Sequence, residues 1–181
     1  MNSKKQSFII FGVAFLLFAL IVVLIFVFVQ PMRVVGNSMY PTYKENNIIF
    51  VNTTVKDYST NDVVVLYYGR EKIVKRICAE SGDLVEIRND GIYINGKYIT
   101  ENNANYDEVQ YLLEDSEYFV LGDNYAQSID SRHFGVVEAE RIIGKVICNK
   151  TKNWNYFVKI SIFYGQIQKN TVVLYEKRKT V

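Results

Sequence analysis

The chain has 181 residues, 49% of them hydrophobic and 22% charged, and a formal net charge of only +2. That length fits one domain with an appendage, and the near-balanced charge, without a basic patch carrying interleaved aromatics, argues against a nucleic-acid partner. Two cysteines, Cys78 and Cys148, and one histidine, His133, lie far apart with no C-x-x-C spacing. They offer no ligand pattern for a structural zinc, and their spacing does not decide a disulfide.

Residues Phe8 to Val29 contain no charged and no strongly polar side chain. A helix needs about 20 apolar residues to cross the hydrocarbon core, so residues 8–30 are expected to form a transmembrane anchor. The end of the run, "VLIFVFVQP", is bulky and lacks the small-residue cleavage site of a removable secretory signal. Lys4 and Lys5 precede the run and Arg33 follows it. With the amino terminus, that bias places residues 1–7 in the cytoplasm and residues 31–181 outside it.

Directly after the anchor comes "GNSMYPT", Gly36 to Thr42. It holds Ser38 among small and turn-forming residues, and a serine hydroxyl is a weak nucleophile until a neighbouring group takes its proton. Beyond it the chain reads as β. "NIIFVNTTV" and "NDVVVLYY" are rich in strand formers, as befits a chain with fourteen Tyr and eleven Phe. "DLVEIRNDGIYINGKYI" alternates apolar and polar residues around Asn89-Asp90-Gly91 and Asn95-Gly96, and Asn-Gly is a strong hairpin signal. "SEYFVLGDN", "RIIGKVICN" and "NYFVKISIFYG" read as later strands. Helical periodicity is weak past the anchor. The expected fold is all-β and mostly antiparallel, a sandwich or a partly open barrel, tethered by one helix.

A proton acceptor for Ser38 has two sources. His133, in "DSRHFGV", is the one histidine, but it sits beside charge in a loop-like context where a solvated or structural role is the commoner one. A lysine serves if burial lowers its pKa. "EKIVKRICA" offers Lys72 and Lys75, three positions apart and so on opposite faces of a strand. Lys75 shares its face with Ile73 and Ile77, which favours it slightly as the inward lysine. Both remain candidates on pattern alone, since most lysines lie at the surface.

"GNSMYPT" and five further blocks in order behind the apolar run resemble the bacterial type I signal peptidases of the Ser-Lys kind. "GNSMYPT" is followed 37 residues after its serine by "KR", "NDVVVL" resembles the family's G-D-[IV]-V-V-F strand, and "VKRICAESGD" its K-R-x-x-G-L-P-G-D block. "IYINGK" is similar to a family hairpin, "EYFVLGDNYAQSIDSRHFG" to its F-V-L-G-D-N-x-x-x-S-x-D-S-R-x-[WFY]-G signature, and "RIIGKV" to its closing strand. The resemblance covers roughly residues 8 to 147 and is to the small, single-span forms like those of Gram-positive bacteria.

The resemblance implies Ser38 as nucleophile and Lys75 as general base. It implies Met39 as a packing and substrate-binding neighbour, and Ser128 as the hydroxyl that orients the lysine by a hydrogen bond. Asp130 and Arg132 would shape the site as a structural pair, and Gly122, Asp123 and Asn124 would form the turn behind it. Gly36 stands where some relatives carry a serine whose hydroxyl helps bind the oxyanion, leaving the Ser38 amide for that task. Four further positions depart. Ala79 and Ser81 stand where the family has glycine and proline, Asn61 where it has glycine, and Tyr125 where many members have arginine. A left-handed φ at position 79 would strain an alanine.

The implied function is removal of signal peptides from exported precursor proteins after small residues, through an acyl-enzyme and without metal or organic cofactor. Exported preproteins and membrane lipid are the expected partners. Shallow pockets for the small side chains would be lined by Met39, the Tyr43 region and Ile48 to Val51. Three other readings stay open: a noncatalytic anchored relative, suggested by the altered loop after Lys75; a peptidase dedicated to a narrow set such as pilus subunits; and a self-cleaving repressor-type Ser-Lys protease, which the anchor disfavours. Residues 148–181 carry no evident chemistry.

Overall fold

The computed structural model describes residues 3–102, 107–150 and 171–173, with the side chains of residues 3–7, 22, 24–26, 148–150 and 171–173 left aside. Helix α1, Ser3–Phe28, has 26 residues, about 39 Å at 1.5 Å per residue. Its apolar side chains stand bare, Phe8 at 79% and Phe11 at 73% exposure. Over the described residues alone no helix is long and apolar enough to cross a membrane.

The helix ends two residues before Gln30, and strand β1, Val29–Val35, takes over without a loop. The boundary is hidden in the sequence because apolar strand formers follow apolar helix formers, so hydropathy continues across it. Pro31 has no N–H to give, but it lies near the start of the strand, where that loss is tolerated.

The remaining strands are β2 Ile48–Asn52, β3 Val63–Tyr68, β4 Glu71–Ala79, β5 Leu84–Ile87, β6 Ile92–Ile94, β7 Lys97–Thr100, β8 Val109–Leu112, β9 Glu117–Leu121, β10 Val137–Glu138, β11 Ile142–Lys150 and β12 Thr171–Val173. A one-turn helix α2, Ser131–Phe134, precedes β10. The larger sheet runs β10-β9-β4-β3-β11-β2-β1-β12 and the smaller one β7-β6-β5-β8. All pairings are antiparallel except β1 with β12. The large sheet curls, so that β12 at its far end lies against β4. The fold is the all-β, mostly antiparallel one expected. The strand expected at "NYFVKISIFYG" lies outside the described residues.

Strand β3 shows why the curled sheet holds together. Val63, Val64, Val65 and Leu66 are all buried, a continuous apolar run where a half-exposed strand would alternate. Val63 and Val65 join Met32, Val34, Met39 and Val51 in one core cluster. Val64 and Leu66 join Ile73, Ile77 and Val120 in another. A third cluster, with Val85, Ile87, Phe119 and Leu121, mounts the small sheet on β4 and β9. The Asn95-Gly96 turn joins β6 to β7 with both residues at positive φ, 50° and 75°, as a tight hairpin turn requires.

Candidate active site

Gly36 ends β1 with φ 93°, a left-handed conformation that glycine adopts without a Cβ clash. It turns the chain so that Ser38 and Met39 point into the protein, both fully buried. Met39 belongs to the first core cluster, and its carbonyl accepts from Tyr43 N at 2.8 Å. The Ser38 carbonyl accepts from Asn124 N at 2.9 Å, and the Asn37 carbonyl from Asn124 Nδ2 at 3.2 Å. Asn124 therefore ties the serine loop to the turn after β9.

Lys75 lies in β4, between β3 and β9, opposite Val64. It has no exposed surface, whereas Lys72 is half-buried opposite Tyr67. The inward lysine is thus Lys75, as alternation with Ile73 and Ile77 favoured. Its Nζ meets Ser38 Oγ at 2.7 Å. Burial pushes the Lys75 ammonium down from 10.5 to about 8, with Asp130 and Asp123 pulling upward and Arg132 adding to the depression. His133, the alternative acceptor, is exposed and serves in the cap of α2, with Nδ1 near Asp130 N at 3.4 Å.

The loop from Gly122 to Arg132 closes around the pair. Asp130 Oδ2 accepts from Gly122 N at 3.0 Å. Arg132 grips the same carboxylate with Nε at 2.8 Å and Nη2 at 2.9 Å, and the two side chains are 3% and 0% exposed. Arg132 Nη2 also donates to the Tyr125 carbonyl at 2.8 Å. A buried carboxylate is tolerated when its lone pairs are filled this way. A Cβ added to Gly122 would come within 2.5 Å of the Ser38 carbonyl and 2.7 Å of Ser128 Cβ, besides striking Ser128 Oγ. Glycine is therefore required there by close approach.

One expectation needs correcting. Ser128 lies beside Gly122 and is buried, but its hydroxyl has no hydrogen-bond partner, so it does not bond Lys75. The lysine amine is turned onto Ser38, and the Ser128 hydroxyl packs over Gly122 instead. Sequence reasoning also passed over Arg76. Its Nε and Nη2 grip Asp123 at 2.8 and 2.7 Å, and its Nη1 donates to the Asn61 carbonyl at 2.9 Å. Successive strand residues face opposite ways, so the "KR" pair carries the signal: one residue points in and the next clamps the turn that holds Asn124.

The departures from the family pattern are accommodated. Ala79 ends β4 fully buried and is absent from the residues at positive φ. Gly82 takes the left-handed position of the following turn, with φ 85°. Ser81 Oγ donates to Asp115 Oδ1 at 3.1 Å, and Asp83 Oδ2 accepts from Glu80 N at 2.9 Å. Asn61 holds φ 76°, a conformation asparagine tolerates better than most residues. A cleft of about 560 Å³ lined by Arg76, Cys78 and Tyr125, among others, contains neither Ser38 nor Lys75. Cys78 is a free thiol, pushed up to about 12 by burial.

Residues 6–149 match the family model described as signal peptidase, peptidase S26. The chain is similar to signal peptidase I S of Bacillus subtilis (strain 168), 37% identical over 163 residues, covering 78% of this chain and 88% of that protein. It is similar to signal peptidase IB of Staphylococcus aureus (strain COL), 34% identical over 146 residues, covering 65% of this chain and 75% of that protein. Among solved structures, a signal peptidase I from Enterococcus faecalis V583 is 30% identical, with a TM-score of 0.40, covering 52% of this chain and 99% of that one.

Proposed function

The chain belongs to the signal peptidase family, peptidase S26, and is a signal-peptide-removing serine endopeptidase; from that premise we propose that Ser38 and Lys75 are its catalytic dyad and that α1 anchors it in the membrane. The observation that carries the dyad is the 2.7 Å contact between Lys75 Nζ and Ser38 Oγ, with both residues fully buried. An ammonium in that position lacks water, so proton loss is eased. Neutral Lys75 accepts the Ser38 proton as Oγ attacks the scissile carbonyl. The ammonium then protonates the leaving amine, which departs and leaves the acyl-enzyme. Lys75, neutral again, takes a proton from the water that hydrolyses the ester.

The Ser38 amide donates to no other group among the described residues, and it supplies a donor for the oxyanion. Gly36, without a hydroxyl, adds none by its side chain. Asp130 and Arg132 act as fixed support, and Asn124 sets the Ser38 carbonyl. Met39, the Tyr43 region and Ile48 to Val51 are the proposed lining of the pocket for small side chains.

The proposed substrates are exported preproteins cut after small residues of the A-x-A type. Support comes from the anchor sequence and from distance. Ten residues lead from Phe28 to Ser38, a reach under about 36 Å at 3.3–3.6 Å per residue. A precursor held by its own apolar segment presents its cleavage site at that level. The altered loop after Lys75, which motivated a noncatalytic reading, is a hydrogen-bonded turn and leaves that reading without its motive.

The test is cleavage of a membrane-inserted precursor with an A-x-A site by wild type, Ser38→Ala, Lys75→Ala and Lys72→Ala. The first two substitutions should lower kcat at least about a thousandfold, as removal of one member of a catalytic unit does. Lys72→Ala should cut like wild type. Equal loss in Lys72→Ala would sink the assignment of Lys75, and binding without cutting by wild type would sink the peptidase reading.

A further inference from the structure

Strand β12 occupies an unusual place. It pairs with β1 in parallel, Arg33 with Thr171, Val34 with Val172 and Val35 with Val173. Those β1 residues are the last before Gly36 and Ser38. It also lies close to β4, the strand that carries Lys75. Residues Thr171–Val173 thus touch both strands that deliver the dyad.

The dyad is also closed off. Ser38 and Lys75 have no exposed surface, yet a peptide carbonyl has to reach Ser38 Oγ. Extended peptides are recognised at free sheet edges through their backbone groups, and the edge of β1 leading into Ser38 is paired. An extended substrate and β12 therefore compete for one set of hydrogen bonds. The segment itself is a poor substrate. Val172, Val173, Leu174 and Tyr175 are bulky throughout, where cleavage calls for small residues two apart.

We propose that residues Thr171–Val173 are a built-in, uncleavable occupant of the substrate strand position, so that the chain holds itself inhibited until a substrate displaces them. The inference rests on the peptidase reading above. Being covalently tethered, the segment competes at an effective concentration that free peptides rarely match. Only precursors concentrated at the site would outcompete it.

The experiment uses the full chain and the double variant Val172→Pro/Val173→Pro. In a parallel ladder alternate residues bond to a given neighbour, so one of two adjacent residues faces β1, and proline removes its N–H. If the strand is seated nine-tenths of the time, the KM for a short soluble A-x-A peptide should fall about tenfold in the variant, with kcat unchanged. A synthetic peptide of residues 169–176 should then inhibit the variant competitively, which also shows that the variant is folded. Hydrogen exchange at the Arg33 and Val35 amides should be slow in wild type and faster in the variant, while the Val34 amide, held by the Asn47 carbonyl at 2.9 Å, should not change.

Equal KM in two active proteins, or a fall in kcat alone, would overturn the inhibitory role and make β12 a supporting strand. If neither protein cuts any peptide while the exchange difference persists, the peptidase reading has failed and takes the inhibitory role with it.

Discussion

An amine that titrates near 8 is neutral in about one molecule in ten at pH 7 and in about nine in ten at pH 9. With Lys75 as the base, kcat/KM should climb about fivefold from pH 7 to 8 and level off by about pH 9. A pH–rate profile on a soluble peptide checks this, and a flat profile between pH 6 and 9 would remove Lys75 from proton transfer. The same depression has a stability consequence of definite sign. Between the folded value near 8 and the ordinary 10.5 the unfolded chain binds the extra proton, so wild-type stability rises with pH across that window. Lys75→Met should therefore be more stable than wild type at pH 7, with an advantage that shrinks from pH 8 to 10.5, as denaturant titrations at several pH values would report. At this scale the family resemblance pointed to Ser38 and Lys75, whereas strand alternation with Ile73 and Ile77 only slightly favoured Lys75 over Lys72 as the inward lysine. The Ser128 hydroxyl was not legible, since where it points depends on how it packs over Gly122.

The loop between β9 and β10 is held by side chains reaching back to backbone, and its tolerance to change follows from that. Asp130→Ala leaves the Arg132 guanidinium buried without its carboxylate and the Gly122 amide without its acceptor. Breaking a buried pair by removing one partner costs about 3–5 kcal/mol. Gly122→Ala should cost about 1–3 kcal/mol through overpacking, and it should lower kcat by pushing on the Ser38 carbonyl. Melting curves alongside single-turnover cleavage separate the two effects; an active Gly122→Ala enzyme would mean the loop yields freely. The elements themselves were mostly readable. Strands β3, β5, β6 and β9 fall where β-branched runs and turn dipeptides place them. Strand β1 was missed because its apolar residues continue those of α1, and short β8, with its mixed "VQYL", gives almost no pattern of its own.

On the scale of the whole molecule, α1 and the β-sheets meet at Phe28, whose carbonyl accepts from Thr53 N at 3.1 Å. A chain starting at Phe28 keeps that contact and all of β1. It should cut a soluble peptide within a few-fold of wild type but lose most of its activity on precursors embedded in vesicles, because shared confinement to one surface is what raises the effective concentration. Equal loss on both substrates would show that α1 supports the fold and would count against the proposed anchoring role. Sequence alone could not reveal the curl that brings β12 against β4, since no local pattern encodes a pairing between residues 33–35 and 171–173.

The small sheet is inserted into the chain between β4 and β9, and those two strands pair directly, Ala79 opposite Phe119. The polypeptide therefore leaves the main sheet and re-enters it at facing positions. Closure of that excursion is already enforced by the ladder, and doubling a loop's length adds only about 0.6 kcal/mol of entropy. Growth is permitted at the far turns of the small sheet, whereas Val85 and Ile87 must stay to cover Phe119 and Leu121. The architecture thus offers one port through which a lineage of such chains can gain or shed whole subdomains while the distance between Ser38 and Lys75 stays fixed.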